Sequence, residues 1–151
     1  MRVGVTTQRT ASATLDVGSV LTAAASPRRY KLYELELGSE ATPADNAFLW
    51  QVFRRTGTAT GGTAPTITNL DQDDTIASTL VANQAPTVNG AGGSTAPLLS
   101  VPLNQRATFR WVAAPGSELV TNATASQGYA TATPTAGGLV AVTSGWLIDE
   151  Q

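Results

Sequence analysis

The chain has 151 residues, no Cys and no His, and only 13% of its residues are charged, for a formal net charge of −2. This excludes disulfides, thiol catalysis and zinc–thiolate sites, removes the commonest general base, and argues against general electrostatic attraction to nucleic acid or anionic lipid. The length fits one domain, but 24 Ala and 23 Thr leave few large core formers, so the core must be thin, like the slab between two sheets.

The first 27 residues are rich in Thr, Ala and Ser. RVGVTT (2–7) could be an edge strand, and the rest reads as an extended N-terminal arm, 1–27, that needs a partner surface to order it. VGSVLTAAAS (17–26) has a faint signal-peptide look behind Arg2 and Arg9, but its apolar core is short and follows Asp16, so synthesis in a cytosol is expected. A β-sandwich domain is expected over 28–151. RRYKLYELELG (28–38) is its first strong strand, with Tyr33, Leu35 and Leu37 on one face and Glu34 and Glu36 on the other; Tyr30 and Leu32 fall on the Glu face. SEATPADN (39–46) is a polar loop. NAFLWQVFRR (46–55) places Phe48, Trp50 and Val52 on one side and Leu49, Gln51 and Phe53 on the other, the pattern of a central strand covered on both faces.

TGTATGGTAPT (56–66) is a loop, and 67–83 is the one place for a short helix, with Asp71 as its cap and Asp73 and Asp74 in its first turn. A long turn-rich loop follows at 84–97. LLSVPLNQ (98–105) is a strand that Pro102 confines to an edge or bulge. After a turn at Asn104–Gln105, RATFRWVA (106–113) alternates Phe109 and Trp111 with Arg106 and Arg110, aromatics in and arginines out. APGSELV (114–120) is a turn and a short strand. TNATASQGYATATPTAGG (121–138) holds a short strand at Tyr129, and LVAVTSGWLIDEQ (139–151) closes the chain with Trp146 and Ile148 on one face. About eight short strands with long connections predict an all-β fold: a single, jelly-roll-like β-sandwich with at most one short helix. Phe48, Trp50, Phe109, Trp111 and Trp146 are its expected core.

Few residues offer chemistry. Asp71, Asp73 and Asp74 fail as a calcium loop, because Ile76 and Ala82 occupy the positions of the required Gly and acid. Glu34 and Glu36 share a strand face, yet no cleft accompanies them, and cross-strand ion pairs account for them. A Ser or Thr nucleophile would have only Lys31 as a base, and the glycines of GTATGG (57–62) lack the Lys-Ser/Thr of a phosphate loop. No enzyme activity, cofactor or metal is expected, and no run approaches the roughly 20 apolar residues of a membrane helix. A nucleic-acid stacking surface built on Trp50, Phe53, Arg54, Arg55, Arg106, Phe109, Arg110 and Trp111 is disfavoured by the strand alternation. Eight of the nine cationic residues are Arg. Interfaces favour Arg over Lys, and GC-rich codon usage has the same effect.

At LNQRATFRWVAAPG (103–116) and GSEATPADNAFLWQVFRRTGTATGGTAPTITNLDQDD (38–74), the chain resembles small virion proteins of tailed bacteriophages. The shared pattern is an ATPADN loop before an aromatic strand, an Arg-Thr-Gly turn, a Leu-Asp segment, NQRATFRW and an acidic C-terminal strand, GWLIDEQ. It spans most of 28–151. Within that group the chain looks like a head decoration, or cement, protein. The resemblance implies a jelly-roll or sandwich fold, a homotrimer on the outer capsid surface, and a partner in the major capsid protein. Residues 1–27 and the 84–97 loop are the expected contact segments, with Arg28, Arg29, Arg54 and Arg55 as polar anchors and Arg106 and Arg110 facing outward. The alternatives are another virion role, as a tail, neck or fibre adaptor, and a carbohydrate-binding sandwich stacking sugars on Trp50, Trp111 or Trp146.

Overall fold

The computed structural model describes residues 1–93, 96–134 and 140–151. Residues 94–95 of the 84–97 loop, 135–138 of the 121–138 segment and the first residue of the closing strand, 139, lie outside the described residues. The strands are β1 (Arg2–Thr10), β2 (Asp16–Leu21), β3 (Tyr30–Glu40), β4 (Ala47–Arg55), β5 (Thr68–Asn69), β6 (Val81–Gln84), β7 (Leu99–Asn104), β8 (Phe109–Val112), β9 (Leu119–Val120), β10 (Gly128–Ala132) and β11 (Ala141–Glu150). There is no helix among the described residues. The expected helix at 67–83 is instead the two-residue β5 and a turn, in which the Asp71 carboxylate accepts from the Asp73 N–H at 3.0 Å and the Asn69 amide donates to the carbonyls of Asp74 and Ile76. Short polar side chains that bond nearby backbone compete with helix.

The strands form two antiparallel sheets in the orders β5-β1-β11-β3-β8 and β6-β2-β10-β4-β7, with β9 also paired to β3. Without the short β5, β6 and β9, the orders β1-β11-β3-β8 and β2-β10-β4-β7 are those of an eight-stranded jelly roll. The expected all-β sandwich is borne out.

Residues 1–27 are not an arm. β1 runs between β5 and β11, paired with β11 from Arg2↔Asp149 to Thr10↔Ala141, and β2 lies between β6 and β10 with every residue buried. A Thr/Ala-rich composition looks disordered alone, but Val3, Val5, Thr7, Val17 and Val20 supply enough inward side chains once two sheets flank them.

β3 resolves a conflict in its own pattern. Its register against β11 slips at Leu147/Ile148, so Tyr33 is an extra, bulged residue. The bulge changes the strand's parity, so Tyr30 and Leu32 point into the core before it and Leu35 and Leu37 after it, all at most 1% exposed. A second bulge, in the β2–β10 pairing, leaves Val17 in the core cluster while Asp16 turns to the outer face. The core also takes Phe48, Trp50, Val52, Tyr129, Trp146 and Ile148. Each such large apolar side chain contributes about 1.5–3 kcal/mol on burial. The sheets touch through hydroxyls as well. Ser144 on β11 bonds Thr7 at 2.8 Å and Thr131 on β10 at 2.9 Å, and the Tyr30 hydroxyl donates to the Val20 carbonyl at 2.6 Å. Gly18 leaves room for this approach, because a Cβ there would lie 2.3 Å from Thr7.

The crossover between β4 and β7, residues 56–98, places β5 on the edge of one sheet and β6 on the edge of the other, along the same flank. The opposite flank ends in β7 and β8, joined by a tight turn in which the Ala107 N–H donates to the Asn104 carbonyl at 2.9 Å.

Candidate functional site

The flank at β7 and β8 is where the sandwich stays open. β7 pairs only with β4, and β8 only with β3, so each presents a free edge. Both strands alternate as their sequences require, with Leu99, Val101, Leu103, Phe109 and Trp111 turned toward the core. Among the described residues no further strand covers them. Phe109 and Trp111, expected as full core residues, are therefore only half-buried, whereas Phe48, Trp50 and Trp146 on or beside interior strands are 4%, 0% and 1% exposed. Leu98 is 42% and Val112 54% exposed on the same flank. Pro102 has no N–H to offer a further strand and blunts part of the β7 edge.

The six arginines expected at an interface separate into three groups. Arg106 and Arg110 are exposed on the open flank. Arg110 donates to Glu34 at 2.5 Å and lies 3.8 Å from Glu36, so the two glutamates are held as an ion-pair cluster on the sheet's outer face. These bonds and the attraction of Glu34 raise the Arg110 pKa further above its ordinary value. Arg28, Arg29 and Arg54 are exposed and form no ion pair among the described residues. They gather at one end of the sandwich, where the backbone of Tyr30 bonds Thr121 in the loop that precedes β10.

Arg55 does not belong with them. It is 2% exposed and forks onto Asp16, with Nε to Oδ2 at 2.9 Å and Nη2 to Oδ1 at 2.5 Å, while Nη1 donates to the Gly92 carbonyl. The fork crosses β10, where Gly128, Ala130 and Ala132 carry little or no side chain on that face. The crossover lies over it: the Asn89 side chain accepts from the Asp16 N–H at 2.8 Å, and the Thr56 N–H donates to the Ala91 carbonyl at 2.8 Å. Burial pushes the Asp16 carboxyl above the ordinary range, against the pull of Arg55 and Arg9. The described part of the 84–97 loop is thus held by its own chain.

The chain matches no family model, no curated protein and no solved structure.

Several further features bear on chemistry. Among the described residues no group of three or more His, Cys, Asp or Glu could hold a metal ion, and no helix is long and apolar enough to cross a membrane. Asp71 and Asp73 lie exposed and Asp74 half-buried on the turn after β5. Trp50 and Trp146 are enclosed in the core and offer no face to a sugar ring, which leaves Trp111. Sequence reasoning missed Asp16 because it sat within the expected arm. The signal was present: an isolated acid in an apolar run requires a cation, and RR at 54–55 supplies one.

Proposed function

We propose that this chain is a structural virion protein that decorates a tailed-phage head, acting as a homotrimer that bridges major capsid subunits on the outer surface. The observation that carries this reading is the open β7–β8 flank. It joins two unpaired strand edges to half-buried Phe109 and Trp111 and exposed Leu98 and Val112. A closed sandwich has no use for such a flank, and a neighbouring chain would cover it with apolar contacts and added strand pairing. The resemblance at 38–74 and 103–116 gives the class of assembly, and the jelly-roll order is one that capsid proteins use. Arg106 lies at the rim of the flank, where a guanidinium can pair with a partner's acids.

Native mass spectrometry tests the reading. A species at three times 15.5 kDa is expected, and Val112→Glu should reduce it to monomer without unfolding the chain, because Val112 is already 54% exposed. A wild-type monomer at all concentrations would overturn the trimer.

A further inference from the structure

At the end of the sandwich, a cleft of about 210 Å³ opens between the start of β10, the last residue of β4 but one, and the loop after β9. Its lining includes Arg54, Thr121, Asn122, Gln127, Gly128 and Tyr129. We infer that this cleft is a socket for a single oxyanion group, held by the Arg54 guanidinium and the Tyr129 hydroxyl. Three observations support this assignment. The Tyr129 hydroxyl, on a residue only 1% exposed, has no partner at full hydrogen-bond distance and geometry, and the side chain that approaches it is Arg54. The Arg54 guanidinium is exposed and free of ion pairs among the described residues. No carboxylate lines the cleft, while Asn122 and Gln127 bring further amide donors to it.

The placement follows from the strands. Tyr129 is directly opposite Arg54 in the β4–β10 register, so both side chains leave the sheet on the same face. Further along that face, Val52 and Thr131 enter the core. At this end the facing sheet gives way to the loop after β9, so Arg54 emerges into water and Tyr129 sits beneath it. Burial raises the Tyr129 pKa, and the charge of Arg54 and its side-chain hydrogen bond to the phenol oppose that rise. The hydroxyl stays protonated at neutral pH and is a donor. Two donors converging from a charged and a neutral group suit a carboxylate or a tetrahedral oxyanion, and a fork-shaped guanidinium favours two oxygens at once. Arg28 and Arg29, just before Tyr30 on the neighbouring strand, add positive potential at the same end.

The group can come from a free small anion or from an acidic side chain of a protein partner. This inference does not depend on trimerisation or on the open flank. The test is a titration of the intact chain, followed by NMR at constant ionic strength. Sodium acetate and sodium sulfate are compared with sodium chloride, reading the Arg54 Nε–H and the amides of Asn122 and Gly128. Saturable shifts at those positions are expected with acetate or sulfate and not with chloride. Arg54→Gln should weaken the binding about tenfold or more, since it removes a charge-assisted bond, and Tyr129→Phe about threefold to tenfold. Both variants should keep the wild-type spectrum elsewhere, because Arg54 is exposed and Phe fills the Tyr129 site. A second arm uses a short peptide with one Glu and its Gln counterpart. A Glu peptide that binds more tightly than acetate assigns the socket to a partner's side chain; binding no tighter than acetate assigns it to a free anion. Shifts that never saturate, or that persist unchanged in Arg54→Gln, would overturn the socket.

Discussion

Each outer face of the sandwich carries an arginine–carboxylate pair between strands. On the face of β2, β10 and β4, the side chains of Arg55 and Asp16 are 3% and 1% exposed. On the face of β3 and β8, Arg110 is 61% exposed and Glu34 10%. The contact distance is the same 2.5 Å in both. What differs is the covering. The crossover from β4 to β7 lies over the first pair and bonds its backbone and its guanidinium, while none of the described residues encloses Arg110. The long crossover seals the first pair and one flank, and among the described residues it leaves Arg110 and the β7–β8 flank exposed. A contact's geometry therefore says little about its worth. The dielectric surroundings decide it, and here they are set by a loop.

The largest effect should come from breaking the covered pair. Arg55→Ala leaves Asp16 buried without its main counter-charge and should cost about 3–5 kcal/mol, read as a lower urea midpoint. Replacing both residues by apolar ones of similar volume should cost far less, because no charge then remains in the interior. Equal losses in the single and double variants would mean that packing, not charge, holds the cover down. A smaller loss should follow from disturbing the cover itself. Gly93 has φ of +70°, and a Cβ there would meet the Arg54 carbonyl at 2.0 Å, so Gly93→Ala should cost about 1–3 kcal/mol while leaving the open flank unchanged.

The seam between the sheets supplies a control that belongs to neither face. Tyr30 and Tyr129 stack edge to face with centroids 6.0 Å apart, and burial raises both pKa values, that of Tyr30 well above its ordinary 10.0. In the unfolded chain both phenols ionise near pH 10, so above that pH the unfolded state binds fewer protons than the folded one. A raised folded value therefore contributes stability that is complete below about pH 10 and is lost as pH climbs toward the folded value. At pH 11 the loss is about 1.4 kcal/mol for each phenol still protonated in the fold. Denaturation between pH 9 and 11 should show this slope in wild type and in Gly93→Ala alike. Tyr30→Phe should remove the largest part of it, since Tyr30 carries the largest rise. A slope confined to one variant would tie the seam to the cover and blur the distinction between the faces.

The fold was readable where a strand keeps its two-residue alternation without a bulge. β4, β8 and β11 follow their alternation, and Trp50 and Trp146 sit where the pattern placed them. It was unreadable where pairing partners lie far away in the chain. β1 joins Val3 to Ile148 and β2 joins Val20 to Tyr129, so nothing within residues 1–27 announces two interior strands. The bulges at Tyr33 and Val17 were hidden for the same reason, since only a neighbour's register defines an extra residue. At the candidate site, the outward Arg110 of β8 and Arg106 in the turn before it were legible, and Arg55 was not. Arg54 and Arg55 look alike in sequence, but adjacent residues on a strand face opposite ways. One faces the end of the sandwich, and the other faces a surface that only the crossover makes an interior.

The smallest effect is expected at Arg110, and it is the most informative about the open side. In the isolated chain Arg110→Ala should leave the urea midpoint where it was. The guanidinium is 61% exposed, so water screens its attraction to Glu34, and holding a long side chain in one geometry costs rotamer freedom. A midpoint that falls as far as that of Arg55→Ala would mean that this face is also an interior in solution. Only another copy of the chain could cover it then, because no segment of this one does so among the described residues. The loss would in that case depend on protein concentration and vanish on dilution, whereas the Arg55 loss would not. Running both variants at two concentrations thus separates a face sealed by the chain's own loop from one sealed by assembly.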